Sequence, residues 1–362
     1  MKILFSIDTM TKGGAERVIS NLANIFSKNN EDVSILTLLK GDSAYQLDSK
    51  IKYTSLEIKE GKKNIFQKIY YYIANLFNIR KFVKTNKYDI VVSFLPRMTF
   101  YMALATLGTK TKLIISERND PASIYVNPIK KHIYRRIFEL ADGVVFQTSM
   151  ARDFFSKKVY NKSIIIPNPV NDLFYQKRDF KKRNKNIVNV GRLTEQKNQK
   201  LLIDAFYDFF KMHNDYNLII YGEGPLRIEL EEYIKSLKLE TFVKLPGIID
   251  NIADKIVDSS MFVFTSNYEG MPNALMEAMT LGIPCISTDC PCGGPREIID
   301  NGINGFLVPV GERNEIVSKM EEIISADISQ KFSINATEKM QLYKNDLINE
   351  KWKNYIEKVL KG

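Results

Sequence analysis

The sequence predicts an α/β protein composed of two doubly wound parallel-sheet domains in series. Short apolar runs alternate with longer amphipathic segments, the pattern of strands buried on both faces and of helices that cover them. The alternation breaks at residues 164–169 and restarts at Ile187, so two sheets are expected rather than one. With 362 residues, 44% of them hydrophobic, the chain is long enough to build two such cores.

The first domain is predicted to span residues 1–170. Its helices are expected at Gly14–Lys28, Ile65–Lys84 and Ile129–Leu140, where apolar residues recur at helical spacing. Its strands are expected at the short apolar runs Lys2–Ile7, Asp32–Leu38, Tyr88–Phe94, Lys112–Ser116 and Gly143–Gln147.

The second domain is predicted to span residues 187–343, after a polar and basic linker at 171–186. Residues 344–362 are expected to form a final helix that holds the single tryptophan and returns toward the first domain. The other helices expected after the linker are Asn198–Met212, Ala274–Leu281 and Glu312–Ser325. The strands expected there are Ile187–Val190, Tyr216–Tyr221, Phe242–Leu245, Met261–Phe264, Pro284–Ser287 and Phe306–Val308.

The composition argues against several classes of protein. Only two histidines occur, His132 and His213, which disfavours zinc hydrolases and Ser-His-Asp or Cys-His catalysis. Three cysteines clustered at 285–292 form no disulfide framework and fit a reducing cytosol. No apolar run reaches the length of a transmembrane helix. P-loop, G-x-S-x-G and Asp-x-Asp motifs are absent, so a P-loop NTPase, an α/β-hydrolase and a metal-chelating sugar transferase are not expected.

Two loops that follow predicted strands carry features suited to a phosphate. Gly13 and Gly14 follow the first strand and open a helix whose N–H groups can face a ligand, although an ordinary glycine-rich turn explains them equally well. Arg192 and Lys197 lie across the loop after strand 187–190, at the sheet edge where ligands bind. Two cations there suit a diphosphate. The alternative is a pair of solvated side chains.

The most specific segment is the loop and helix start at 266–279. Glu269 lies in the loop and Glu277 lies one turn into the helix that begins near Asn273. The free N–H groups of that helix can bind an anion, and two carboxylates around a phosphate pocket suit the hydroxyl groups of a sugar nucleotide. The alternative is that Glu277 is merely a favourable acid near a helix start.

The segment Glu269–Glu277 resembles the Glu-x7-Glu signature of the retaining glycosyltransferases of family four, which have the GT-B fold. The resemblance covers essentially the whole chain and is strongest from 187 to 310. It implies that two doubly wound Rossmann-like domains face each other across a cleft. The other segments in that family's order are Gly13–Arg17, Gly191–Arg192 with Lys197, Gly222–Gly224, Gly294–Ile299 and Asn301–Val308.

The resemblance also implies roles for the matching residues. Arg192 and Lys197 would hold the donor pyrophosphate and Glu269 the transferred sugar, and these three are the predicted catalytic residues. Glu277 would hold the ribose, and Gly14 would approach the phosphates from the other domain. The predicted donor-binding residues are Gly14, Gly191, Arg192, Lys197, Gly247, Ile248, Glu269, Met271, Pro272, Asn273, Ala274, Leu275 and Glu277.

The activity that the resemblance implies is that of a metal-independent retaining hexosyltransferase without a cofactor. Its donor would be a UDP-sugar such as UDP-GalNAc, UDP-GlcNAc or UDP-Gal. Its acceptor would be a polyprenyl-diphosphate-linked glycan in the synthesis of a capsule, an O-antigen or a glycoprotein glycan. Many members carry a His near the sugar, and here Arg118 stands at or near that place. The predicted acceptor-side residues are therefore Glu117, Arg118 and Asn119.

The charge distribution suggests a surface for an anionic partner. Residues 1–186 carry a net charge of +17 and residues 187–362 a net charge of −7. The stretch 59–87 holds eight basic residues, one acid and six aromatic residues, the composition of a helix that lies in a bilayer interface. The alternatives are a lysine-rich composition and a helix whose aromatic residues face the core. The predicted membrane contacts are Lys62, Lys63 and Lys68.

The sequence thus predicts a cytoplasmic enzyme, peripheral on the inner face of the plasma membrane, that binds no nucleic acid. Two other functions fit parts of the pattern. A nucleotide-sugar epimerase or hydrolase on the same scaffold would turn over UDP-sugar without an acceptor. A non-catalytic membrane-surface binding module would need none of Arg192, Lys197, Glu269 and Glu277.

Overall fold

The computed structural model describes residues 1–11, 13–58, 64–176, 183–324 and 326–362. The chain divides into two compact units, Met1–Asn168 with Ile348–Gly362 as unit 1 and Pro169–Leu347 as unit 2. Each unit has its own parallel sheet, so the prediction of two doubly wound α/β domains is confirmed.

The sheet of unit 1 has seven strands in the described residues: β1 (Lys2–Ile7), β2 (Asp32–Thr37), β3 (Lys52–Ser55), β4 (Ile90–Phe94), β5 (Lys112–Ser116), β6 (Gly143–Phe146) and β7 (Ser163–Ile165). Their order in the sheet is β3-β2-β1-β4-β5-β6-β7. Successive strands are added outward on both sides of the central pair β1 and β4. In sheets of this kind the loops after the central pair open a crevice at the carboxyl edge, which is the usual ligand site.

Helices cover the sheet of unit 1 and bury its apolar strands. The amphipathic helix at Gly14–Lys28 buries Val18, Leu22 and Phe26 against the first strands. The helices of this part of the chain are α1 (Gly14–Lys28), α2 (Ile65–Asn86), α3 (Pro96–Thr106), α4 (Pro121–Ile124), α5 (Pro128–Leu140), α6 (Ser149–Asp153) and α7 (Lys157–Asn161).

The strands of the sheet in unit 2 are β8 (Asn186–Val190), β9 (Asn217–Tyr221), β10 (Val243–Gly247), β11 (Met261–Phe264), β12 (Cys285–Thr288) and β13 (Phe306–Val308). Their order in the sheet is β10-β9-β8-β11-β12-β13, with β8 and β11 as the central pair. Its helices are α8 (Gln199–Phe210), α9 (Arg227–Ser236), α10 (Ile252–Ile256), α11 (Asn273–Thr280), α12 (Gly294–Ile298), α13 (Arg313–Ile323) and α14 (Ala326–Met340).

The last helix, α15 (Asn345–Lys361), packs its apolar face into the core of unit 1. Trp352 is fully buried, and its ring stacks on Phe94 with 6.0 Å between the ring centroids. The Tyr355 hydroxyl accepts a 2.8 Å hydrogen bond from the Val144 amide. This last helix therefore completes the core of unit 1.

We expect Trp352→Ala to destabilise unit 1 strongly. The substitution leaves a cavity between α15 and β4, and removal of a buried aromatic ring costs about 3–5 kcal/mol of unfolding free energy. Scanning calorimetry should show a lower melting temperature for unit 1, with a smaller decrease for Trp352→Phe, which keeps an aromatic ring. An unchanged melting profile for Trp352→Ala would contradict the packing of this helix.

Candidate functional site

The candidate site of unit 2 lies at the carboxyl edge of its sheet, where the central strands β8 and β11 end. These strands pair directly, with Ile187 opposite Met261. The loop 191–198 after β8 therefore meets the loop 265–272 after β11. This is the position that the sheet topology favours for a ligand.

An ion pair joins the two loops. The Lys197 ammonium is in contact with the Glu269 carboxylate, and the Ser266 hydroxyl donates a 3.0 Å hydrogen bond to that carboxylate. The side chains of Lys197 and Glu269 are 20% and 11% exposed. The ammonium also lies 5.0 Å from the centre of the Phe264 ring. Two predicted catalytic residues thus form one partly desolvated unit, in which electrostatic forces are stronger than in water.

Hydrogen bonds to backbone carbonyls fix the two loops to each other. The Asn267 amide donates to the Gln196 carbonyl at 2.8 Å, and the Asn267 side chain donates to the Glu195 carbonyl at 2.8 Å. The Gln196 side chain in turn donates to the Tyr268 carbonyl at 2.9 Å. Because these contacts do not involve Lys197 or Glu269, substitution of either charge should leave the loops in place.

Arg192 stands apart from this ion pair. Its side chain is exposed and has no polar partner within the described residues. It lines a cavity of about 300 Å³ whose wall is otherwise mostly apolar. The apolar wall of this cavity is suited to a flat ring of a ligand, and the Arg192 guanidinium is suited to a negative group next to that ring. Its lining residues are Val190, Gly191, Arg192, Tyr221, Gly222, Glu223, Gly247, Ile248, Ile249 and Ile252.

Two close backbone approaches require glycine at this edge. Gly222 has a φ of +139°, and a Cβ there would lie 1.9 Å from the Gly191 carbonyl oxygen. A Cβ on Gly294 would lie 1.8 Å from the Gly270 carbonyl oxygen. Any side chain at either position would displace a loop of the site.

Helix α11 begins beside the ion pair. Pro272 caps it without a side-chain hydrogen bond, so the first N–H groups of the helix are not satisfied by a capping side chain. Met271, Pro272 and Leu275 are buried, whereas Asn273 and Ala274 are partly exposed. Glu277 is partly exposed and lies on the first turns of the helix. The start of α11 can therefore present a positive end to an anion near Glu269.

Gly14 belongs to unit 1, where it opens α1. The preceding Gly13 is held by Tyr45, whose hydroxyl accepts from the Gly13 amide at 3.0 Å and donates to its carbonyl at 2.7 Å. The Glu16 carboxylate folds against Gly13, and burial raises its pKa. These contacts thus hold the loop of Gly13 and Gly14 in place at the carboxyl edge of the sheet in unit 1.

Glu117 and Arg118 point into unit 1. Glu117 accepts from the amides of Arg118 and Asn119 at 3.0 and 3.1 Å, and from the Tyr125 hydroxyl at 2.8 Å. Burial raises the pKa of Glu117 and lowers that of Arg118 to about 9.

The Arg118 guanidinium donates to Asn168 at 3.0 Å and lies over the rings of Phe94 and Trp352. Only Asn119 of the three predicted acceptor-side residues is more than slightly exposed. The acceptor role of these residues stays a prediction, and the structure gives Glu117 and Arg118 a structural role as well.

The predicted membrane segment is described in part. Lys62 and Lys63 lie outside the described residues, whereas Lys68 is exposed on α2. None of the helices in the described part of the chain could span a lipid bilayer. The described part of the chain also holds no group of three or more His, Cys, Asp or Glu side chains placed to bind a metal ion.

Several known proteins resemble this chain over its full length. A Campylobacter jejuni protein named GalNAc-alpha-(1->4)-GalNAc-alpha-(1->3)-diNAcBac-PP-undecaprenol alpha-1,4-N-acetyl-D-galactosaminyltransferase is 29% identical over 99% of both chains. The amylovoran biosynthesis glycosyltransferase AmsD of Erwinia amylovora is 25% identical over 98% of this chain and 99% of its own length.

Solved structures share the fold. The lipopolysaccharide outer core galactosyltransferase WaaB in its apo form aligns with a TM-score of 0.79 at 22% identity, over 99% of both chains. HepE of Anabaena in complex with UDP and glucose aligns with a TM-score of 0.82 at 19% identity, again over 99% of both chains. The GT-B fold predicted from the sequence is confirmed.

Two family models match consecutive parts of the chain. The model described as Glycosyltransferase Family 4 matches residues 12–172, and the model described as Glycosyl transferases group 1 matches residues 171–340. Together they cover both units and confirm the resemblance carried by Glu269–Glu277. The chain therefore belongs to the family 4 glycosyltransferases with the GT-B fold and is a hexosyltransferase.

Proposed function

We propose that the enzyme transfers a sugar from a UDP-sugar to a lipid-linked glycan, with retention at the anomeric carbon and without a divalent metal. The observation that carries this proposal is the Lys197–Glu269 ion pair beside the start of α11. It combines a cation and a helix N-terminus for a diphosphate with a carboxylate for the sugar.

The proposed chemistry breaks the bond between the anomeric carbon and the β-phosphate oxygen, and the electron pair leaves with UDP. Arg192, Lys197 and the N–H groups of α11 would stabilise the charge that develops on the diphosphate. Glu269 would stabilise the positive charge that develops on the sugar. The acceptor hydroxyl forms the new bond on the face that UDP leaves, and its proton passes to the departing phosphate oxygen.

The names of two relatives guide the choice of substrate. Both are Campylobacter jejuni N-acetylgalactosaminyltransferases whose names include diphospho- or PP-undecaprenol acceptors, and they are 29% and 28% identical to this chain. We propose UDP-GalNAc as the first donor to test, before UDP-GlcNAc and UDP-Gal. The proposed acceptor is a polyprenyl-diphosphate-linked glycan of a capsule, an O-antigen or a glycoprotein glycan.

Mass spectrometry with these three donors and a mixture of lipid-linked acceptors tests this proposal. We expect one donor to extend the lipid-linked glycan by one sugar, with the α configuration in the NMR spectrum of the product. UDP-sugar turnover to free sugar at the same rate with and without acceptor would instead favour the hydrolase alternative, and conversion to another UDP-sugar would favour the epimerase.

We expect turnover to be nearly independent of added magnesium and of EDTA. The two cations and the helix start would supply the charge that a metal supplies in enzymes with an Asp-x-Asp motif. Initial rates should be compared in chelator-treated buffer with and without magnesium. Loss of activity in EDTA that magnesium restores would show that the diphosphate needs a metal.

We also propose that α2 lies against an anionic membrane surface. Phe66, Tyr70 and Phe77 of this helix are 79%, 69% and 67% exposed, so they do not face the core of unit 1. Lys68 is exposed on the same helix. Exposed aromatic side chains interleaved with lysines are typical of helices that bind a bilayer interface.

Reversal of Lys62, Lys63 and Lys68 to Glu should weaken binding to anionic liposomes. Each basic residue near such a surface contributes about 1 kcal/mol, and the effect should fade as salt is added. Sedimentation with liposomes at low salt measures this, and reversal of the unit 2 residues Lys235, Lys238 and Lys331 is the control with the same charge change. Equal sedimentation of the wild type and both variants would remove the membrane proposal.

A further inference from the structure

A second polar site lies at the carboxyl edge of the sheet in unit 1. Asp8 directly follows β1, and Arg97 lies in the first turn of α3 after β4. These are the two central strands of the sheet, so both side chains lie at the point from which the strand order runs in opposite directions. Asp8 and Arg97 therefore lie where the sheet topology favours a ligand, as the site residues of unit 2 do in their own sheet.

The geometry of the pair is well defined. The Arg97 guanidinium lies 3.2 Å from the Asp8 carboxylate, which also accepts a hydrogen bond from the Met98 amide at 3.2 Å. The side chains of Arg97 and Asp8 are 34% and 23% exposed. A ligand can therefore reach a carboxylate and a guanidinium that are already held in place.

Tyrosine residues lie close to the pair. Tyr101 follows Arg97 by one helical turn on α3 and is buried, and its ring stacks at 5.9 Å on the half-exposed ring of Tyr72. Burial raises the pKa of Tyr101 and, to about 12, that of Tyr134 on α5, and the Asp8 carboxylate adds to both shifts. The pair thus lies near aromatic faces and neutral hydroxyl groups, which can pack against a sugar ring and hydrogen-bond its hydroxyl groups.

The local charge favours hydroxyl groups over phosphate. The Arg97 guanidinium is paired with the Asp8 carboxylate, and Asp8 adds to the effect of burial in raising the pKa of the Glu16 carboxylate. A second phosphate site would need an excess of cations. A carboxylate beside a guanidinium instead accepts from one sugar hydroxyl and donates to the next.

We propose that Asp8 and Arg97 bind the hydroxyl groups of the terminal sugar of the acceptor glycan, within a subsite that includes Tyr72. The inference rests on the proposed function, because it assigns the acceptor of that reaction to a place in unit 1. It makes Asp8 and Arg97 determinants of acceptor specificity. It also separates acceptor binding from the buried Glu117 and Arg118.

The test compares two probes and a matched control variant. The first probe is a short-chain prenyl diphosphate that carries a disaccharide, and the second is the same prenyl diphosphate without sugar. Asp142 is the matched control for Asp8, because it pairs with Lys112 at 3.0 Å and accepts the Leu113 amide at 2.9 Å. It lies before β6, at the opposite edge of the same sheet.

Asp8→Asn and Arg97→Gln should each weaken binding of the sugar-bearing probe about tenfold, as expected for loss of a hydrogen bond to a charged group. The acceptor KM should rise by a similar factor, whereas the UDP-sugar KM and the affinity for the sugar-free probe stay unchanged. Asp142→Asn should change none of these values. If Asp8→Asn does not fold, Tyr72→Ala replaces it, with the same expected rise in the acceptor KM.

The possible results separate this inference from the proposed function. A wild-type enzyme that makes product, with an unchanged acceptor KM in Asp8→Asn and Arg97→Gln, would overturn the inference alone. A similar loss of affinity for both probes would also overturn it, because the residues would then recognise the diphosphate. A wild-type enzyme that consumes UDP-sugar but extends no lipid-linked glycan would overturn the proposed acceptor and this subsite together.

Discussion

Replacement of Glu269 by alanine should lower turnover about 100-fold or more while UDP binds at least as tightly as before. The carboxylate is proposed to stabilise positive charge that appears on the sugar only in the transition state, so its loss affects turnover rather than ground-state binding. The same substitution releases Lys197 from its ion pair, and the ammonium is then available to the diphosphate. Isothermal calorimetry with UDP and steady-state kinetics with the identified donor measure the two effects.

Glu277→Ala is the matched comparison, because it removes the other carboxylate of the Glu269–Glu277 segment. The ribose that Glu277 is proposed to hold is bound alike in the ground and transition states. Its loss should therefore raise the dissociation constant of UDP about tenfold and change saturated turnover little. Equal effects of the two substitutions on UDP affinity would contradict separate roles for Glu277 in ribose binding and for Glu269 in stabilisation of the transition state.

The inner strands β11 and β12 of unit 2 were predictable because they are buried on both faces. Met261–Phe264 lies at its predicted bounds, and Cys285–Thr288 differs from the prediction by one residue at each end. Helix α3 was not predicted, because its residues Pro96–Thr106 are apolar on nearly all sides and show no amphipathic period. Strand β3, Lys52–Ser55, was missed for the opposite reason, since it lies at the sheet edge and is half-exposed.

The sequence placed Lys197 and Glu269 in separate motifs and could not show that they touch. Their contact joins residues 72 positions apart and depends on the pairing of β8 with β11.

The sequence pattern also could not predict which polar side chains are buried. Arg118 was predicted on the acceptor side from the family resemblance, yet only 9% of it is exposed. Its neighbours Phe94 and Trp352 come from distant parts of the chain, so no local signal reveals them.

Lys197→Ala should weaken UDP binding more than Arg192→Ala does. Loss of either charge removes a proposed contact to the diphosphate, which corresponds to about tenfold in affinity. Lys197→Ala also leaves the Glu269 carboxylate, only 11% exposed, without its cation next to an anionic ligand. The UDP dissociation constant should therefore rise about 100-fold for Lys197→Ala and about tenfold for Arg192→Ala.

A double-mutant cycle isolates the part of the loss in UDP affinity of Lys197→Ala that comes from the unpaired Glu269 carboxylate. In the double variant Lys197→Ala with Glu269→Ala, the unpaired carboxylate is gone, so UDP affinity should recover to about the level of Arg192→Ala. Lys200→Ala is the control, since this exposed lysine of α8 lies over the Tyr233 ring and outside the loop. If the effects of the two single substitutions on the free energy of UDP binding simply add up in the double variant, the ion pair has no influence on diphosphate binding. Recovery would show that Glu269 sets the charge of the phosphate site through Lys197 as well as facing the sugar.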